Sequence, residues 1–280
     1  MMLLSVDDVV GRLQDLPSLP AVVMELLTSI DQEDVDISVL ARKVSHDQAL
    51  TAKTLRLANS STYGLQVKVT TIQQAIAFLG FQTTRKLITA AAVTGCFSAG
   101  QCAGFDDKAF WRHSIATAAC ARVLARHVRF NQDYAFTAGL LHDIGRLVLV
   151  SICPQRYADV IAWRRARDCE LIEAERAVLG LDHVMAGIAL AERWNFSETL
   201  RLRIAWHHEP ERAGAGFLAT IVHVANAIVH ALDVAGEVND LVPPVSPVAW
   251  DALGLTEDAY LHVFRETELQ FDEIYTVLMN

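Results

Sequence analysis

The residues of this chain best suited to chemistry are an adjacent imidazole and carboxylate, His142 and Asp143. They sit in the run Ala138-Gly139-Leu140-Leu141-His142-Asp143-Ile144-Gly145-Arg146-Leu147. The rest of that run is apolar except for Arg146, and burying such a pair is costly unless it is partnered or holds a metal. His113 precedes it by about one helical hairpin; His183, His207, His208 and Asn226 follow. Neutral imidazoles and a carboxylate hold divalent ions such as iron, manganese, zinc or magnesium, and a water activated there becomes a nucleophile. Taken singly, each histidine also fits a satisfied core or surface residue; the His…His-Asp order favours a site. His46, His127, His230 and His262 lack such company and read as ordinary core or surface residues. Arg146, one turn after the pair, either faces an anion in a cleft or is a solvated arginine.

The elements that must position these groups read as helices throughout. Apolar spacing of three and four predicts helices over 19–30, 37–45, 48–58, 72–79, 83–97, 108–128 and 132–151, then 155–168, 171–179, 183–194, 198–207, 217–235 and 256–278. The His-Asp pair thus falls inside one continuous packed helix. Pro17 and Pro20 lead into the first of these; Asp36, Asp47, Thr70 or Thr71, Asp182 and Ser197 stand at cap positions. Gly80 breaks the chain before a nearly all-round apolar, central helix. Asn59-Ser60-Ser61-Thr62-Tyr63-Gly64 is a polar turn that suits partner contact as well as simple linkage. Pro243, Pro244 and Pro247 mark a loop. The small, polar stretch 98–104 is the best internal boundary. It divides the chain into an N-terminal helical part (1–98), a second helical part (105–235) and a closing segment (236–280).

Bulk properties exclude several classes. The chain has 280 residues, 52% of them hydrophobic and 20% charged, with a net charge of −9. That composition gives a sizeable core, and the acidic balance argues against general nucleic-acid binding. The N-terminus lacks a basic region followed by an apolar one, and no uninterrupted apolar run reaches the ~18 residues of a membrane span. Five scattered cysteines without a CxxC read as reduced thiols of a cytoplasmic protein. Lys53, Arg56, Arg85 and Lys86 form either a small anion-binding or partner patch, or an ordinary solvated helix face.

His113, the run Leu140 to Gly145, and Asn226 in the place of a late Asp resemble the HD superfamily of metal-dependent phosphohydrolases. His183 followed by Gly187, and His207-His208-Glu209, resemble its cyclic di-GMP-hydrolysing branch, although Pro210-Glu211-Arg212 continues where that branch leads on to Gly-Tyr-Pro. The N-terminal half decides between branches. Leu16-Pro17-Ser18-Leu19-Pro20, the stretch from Val44 to Thr51, Leu55 to Gly64, and Thr70 to Leu87 together resemble the HDOD domain, over roughly residues 15–230. The resemblance implies an all-α bundle, with an N-terminal helical subdomain packed on an HD-like one. It also implies a bacterial signalling module that binds partner proteins without catalysis. Asn226 leaves the ancestral ligand set with one carboxylate, Asp143, which weakens binding of hard divalent ions. The competing expectation is a metal-dependent phosphohydrolase acting on a nucleotide or cyclic dinucleotide.

Overall fold

A computed structural model of the chain describes residues 3–16, 19–28, 37–60, 63–97, 102–237 and 240–279. Among these it contains sixteen α-helices, one short 3-10 turn and no strand. The expected lead-in at Pro17, the cap at Asp36, Ser61-Thr62 of the polar turn and 98–101 of the boundary lie outside the described residues. The N-terminal helices are α1 (Val6–Arg12), α2 (Ala21–Thr28), α3 (Ile37–Ser45), α4 (Gln48–Ala58), α5 (Ile72–Leu79) and α6 (Phe81–Cys96). Asp47 caps α4 through Leu50 N at 3.0 Å, and Thr71 caps α5 through Gln74 N at 3.1 Å. Gly80, at φ 83°, makes the left-handed turn between α5 and α6. Thr84 through Thr94 of α6 are all buried, with α2, α4 and α5 packed around that helix.

The rest of the chain builds on α7 (Asp107–His127), which Asp106 caps and which is buried along most of its length. Its alanines allow close approach of α8 (Gln132–Leu141), α14 (Gly216–Ala231) and α16 (Glu257–Met279). Around them lie α9 (Ile144–Ile152), α10 (Pro154–Arg167), α11 (Leu171–Leu179), α12 (His183–Arg193), α13 (Glu198–Trp206) and α15 (Pro247–Leu253). Helix α16 also touches α4 and α6, and one hydrophobic cluster runs through both halves.

Three expectations change. The helix expected over 132–151 is two helices, α8 and α9, interrupted at His142 and Asp143. Consecutive residues of an unbroken helix point about 100° apart, and the interruption lets both side chains face one point. The 132–152 stretch has a mean hydropathy of 1.4, high enough for a membrane span, yet 89% of its window is buried inside the fold. It is core. Pro247, read as part of a loop, instead opens α15: Ser246 caps that helix through Ala249 N at 3.0 Å, and proline is preorganised for a first helical position. Arg85 and Lys86 are buried at 4% and 3% exposure, which excludes a solvated face for them. Lys86 pairs with Asp133 and lies over the Tyr63 and Phe136 rings, as a buried ammonium must be partnered.

Candidate metal centre

Each polar side chain of the cluster reaches it through a specific local device. Helix α7 supplies His113, the α8–α9 break supplies His142 and Asp143, and α14 carries Asn226 at mid-length. Asp182 accepts from Met185 N at 2.9 Å, which starts α12 at His183. Ser197 caps α13, whose end delivers His207 and His208. Two glycines let the helices meet. A Cβ on Gly139 would lie 2.9 Å from Ala118 Cα on α7, and one on Gly145 would lie 1.8 Å from the His183 carbonyl oxygen. Backbone therefore rests on backbone at both crossings, which sets His142 beside His113 and Asp143 beside His183.

Asp143 is the hub. Its Oδ1 lies 3.5 Å from His142 Nε2, 3.4 Å from His183 Nε2 and 3.5 Å from His207 Nε2. His113 Nε2 is 3.3 Å from His142 Nε2, and His208 Nε2 is 3.0 Å from His183 Nε2. The outer ring nitrogens are held in turn. His142 Nδ1–H donates to the Gly139 carbonyl at 2.7 Å, and His207 Nδ1–H to the Ile204 carbonyl at 2.9 Å. Since carbonyls only accept, these bonds assign a hydrogen to Nδ1 of each ring and turn each Nε2 inward toward Asp143. His183 Nδ1–H donates to Glu175 Oε2 at 2.6 Å. Fully buried Glu175 also accepts from His183 N at 2.8 Å and from the Tyr157 hydroxyl at 3.0 Å.

Protonation follows from burial and neighbours. Burial pulls His142 down to about 4 and leaves its ring neutral. It also depresses His113 and His208, with adjacent imidazoles adding to the effect. Burial opposes a charge on His183 too, but Glu175 and Asp143 outweigh it and raise the ring to about 9. Burial likewise opposes ionisation of Asp143, yet His142, His183, His207 and Arg146 together hold its carboxyl well below the usual range. Cation uptake would replace the His183 proton.

The donor set fits divalent metal. His207 Nε2 and Asn226 Oδ1 are buried with no hydrogen-bond partner among the described residues, a cost that a cation would remove. Asp143 belongs to two groups, one with His183, His207 and His208 and one with His113 and His142; donor atoms within each group lie within 4.8 Å of one another. Asn226 lines a small cavity together with Asp143, His183 and His208. An imidazole-rich set with one carboxylate suits ions such as iron or zinc better than calcium or magnesium.

Two sequence readings are corrected at this site. Arg146 is not solvated: it is 5% exposed, 3.3 Å from Asp143, 3.7 Å from Glu237, and over the Phe110 ring. His230, read as an ordinary residue, lies with its ring centroid 4.5 Å from that of His113 and bonds Asp240 at 2.6 Å. Glu175, Tyr157, Arg164, Glu237 and Asp240 were not anticipated. For Glu175 a signal existed, because it shares the apolar face of Leu171, Ile172 and Leu179 at helical spacing. Glu175→Gln keeps the shape but makes His183 a weaker ligand. Metal affinity is expected to fall ~10–100-fold, measured by chelator competition. Unchanged affinity would remove Glu175 from the site.

The HDOD domain model matches residues 16–210. The chain belongs to the HDOD family. This HDOD chain is 30% identical to a proposed phosphohydrolase from Shewanella amazonensis SB2B, with a TM-score of 0.74 over 96% of this chain and 97% of the other. An HDOD domain protein from Geobacter sulfurreducens gives a TM-score of 0.78 at 23% identity, over 98% of both chains, a likeness of fold. Cyclic di-GMP phosphodiesterase CdgJ of Vibrio cholerae is 26% identical over 133 residues, 47% of this chain and 29% of that protein. The chain spans less than half the length of the curated relatives it matches. The HDOD match contains His113 through His208, whereas Asn226 and His230 lie beyond it.

Proposed function

We propose that this HDOD protein holds two divalent ions and hydrolyses a phosphoester, a nucleotide or cyclic dinucleotide, in bacterial signalling. Asp143 carries the reading: one buried carboxylate oxygen lies 3.4–3.5 Å from three Nε2 atoms and takes part in both donor groups. Bound ions would supply Lewis-acid activation of water and of a phosphoryl oxygen. The chain's own residues do the positioning. Glu175 and the Gly139 and Ile204 carbonyls orient the imidazoles, and Arg146 places a positive charge beside them. The name of CdgJ supports a cyclic dinucleotide as substrate. Five free cysteines among the described residues support a cytoplasmic setting.

A second reading is a non-catalytic output module that acts through signalling-protein partners. It is favoured by the cavity over the cluster, which measures about 50 Å³, against the ~300–1,000 Å³ of ligand pockets. Metal analysis of anaerobically purified protein, with phosphodiesterase and nucleotidase assays in iron and manganese, separates the two. The hydrolase reading expects stoichiometric metal, and turnover that disappears in His142→Ala. Metal without turnover selects the module, and neither metal nor turnover after anaerobic reconstitution overturns the hydrolase.

A further inference from the structure

We propose that Arg146 and Arg164 form a phosphate-binding subsite beside the metal cluster, and that Glu237 occupies it as a built-in competitor. The proposal rests on the phosphoester reading above and names what controls access to that site. Both carboxylate oxygens of Glu237 face guanidinium groups: Oε1 lies 3.2 Å from Arg164 Nη1 and Oε2 lies 3.7 Å from Arg146 Nη2. Two oxygens of one anion, each against a different arginine, is the arrangement a phosphoryl group would take up. Arginine forks are suited to that role.

The pairing leaves the arginines incompletely used. The 3.7 Å contact is loose beside the ~2.7–2.9 Å of a good charge-assisted hydrogen bond. The Nε donors of Arg146 and Arg164 are buried without a partner among the described residues. Asp143 faces Arg146 at 3.3 Å but belongs to the metal cluster. Asp240 differs from Glu237: its side chain is 7% exposed and held by both Arg164 at 3.3 Å and His230 at 2.6 Å, whereas that of Glu237 is 27% exposed. Asp240 anchors the segment, and Glu237 is the replaceable anion.

Position supports the same conclusion. Arg146 and Arg164 line the small cavity over the cluster, and Glu237 lines it with them. Glu237 also borders a surface groove of about 540 Å³ whose other charged lining residues are Asp106, Asp107, Lys108 and Arg165. The groove itself is therefore not basic, and the two arginines behind Glu237 carry the attraction for an anion. Glu237 is thus common to the lining of the groove and of the cavity over the cluster. A phosphoryl group that binds both arginines must displace its carboxylate from them.

The test is titration calorimetry of purified full-length protein with two probes, inorganic phosphate and bis(p-nitrophenyl) phosphate, beside metal analysis of each sample. Glu237→Gln is expected to tighten both probes about tenfold, equivalent to about 1.4 kcal/mol, with metal content unchanged. Arg164→Met placed in the Glu237→Gln background should reverse the gain. Tightening of phosphate alone would mark a site for free phosphate, and tightening of the diester as well would mark a phosphodiester subsite; either outcome sustains the competitor. Probe affinities within twofold of wild type in Glu237→Gln would overturn it. A chain that shows neither metal nor turnover after anaerobic reconstitution would sink the hydrolase reading. The same titration would still decide the subsite there, because the two guanidinium groups do not depend on the ions.

Discussion

If the chain is the metal-dependent hydrolase proposed above, the Asp143→Asn protein is expected to fold yet hold neither metal ion and to lose turnover. The substitution keeps the shape of the side chain and an oxygen near His142, His183 and His207. It removes the only carboxylate within the two donor groups. Hard divalent ions favour anionic oxygen, and Asp143 is the one negative charge either donor group can set against two cations. Because Asp143 is shared, the loss falls on both groups at once. Its effect on affinity should exceed the ~10–100-fold expected when an outer partner is altered. His142→Ala touches one group and should leave the other partly loaded. The contrast is read by counting ions per chain after dialysis against a weak chelator. Full metal content in Asp143→Asn would remove Asp143 as the hub.

The same carboxylate has a signature in the metal-free protein. His183 is raised to about 9 by Glu175 and Asp143. A group raised above its unfolded value of ~6.5 stabilises the fold fully below that pH, and its contribution is lost as pH climbs through the folded value. In the metal-free chain the His183 contribution therefore fades between ~6.5 and about 9. Asp143→Asn removes one of the two anions that raise it, so the loss should end at lower pH. His142 works in the opposite sense. Lowered to about 4 by burial, it favours the fold above ~6.5 and withdraws that support as pH falls.

How far the site could be read in advance follows from which interactions are local. His113, His142, Asp143, His183, His207 and His208 stand out because each interrupts a helical apolar pattern, which requires no knowledge of packing. The caps at Asp47, Thr71, Asp182 and Ser197 are legible for the same reason: their partners lie within three residues. The break at His142-Asp143 was not legible, since Leu140, Leu141, Ile144 and Leu147 keep helical spacing across it. There the close approach of α9 to α12 overrides local preference. The burial of Arg146, Arg85 and Lys86 was also hidden, because it depends on Glu237, Tyr134 and Asp133, far along the chain. His230 looked isolated for want of a sequence neighbour. Its partners, Asp240 and His113, come from the segment after α14 and from α7.

That close approach also sets the second large effect, in Gly145→Ala. On helix propensity alone the change should help, since alanine is favoured over glycine inside a helix by ~1 kcal/mol. Packing reverses the sign. A Cβ at Gly145 would sit 1.8 Å from the His183 carbonyl oxygen and 2.6 Å from Gly187 N, where ordinary contact begins near 3.4 Å. Both obstacles are backbone, so no rotamer change relieves them, and α9 must move away from α12 by more than ~1 Å. Overpacking of this kind costs ~1–3 kcal/mol and sometimes more, which exceeds the propensity gain. The displaced atoms also belong to the site: His183 itself and the helix that begins just after Asp143. Ligand sets tolerate about 0.5 Å of misplacement, so metal should be lost even in molecules that fold. Gly187→Ala is the matched control, because its nearest obstacle is the Ile204 side chain at 2.8 Å, which can turn aside. Gly145→Ala should melt well below wild type and bind little metal, with Gly187→Ala milder in both respects. A Gly145→Ala protein that melts at or above the wild-type temperature with full metal content would mean that α9 and α12 do not cross backbone to backbone.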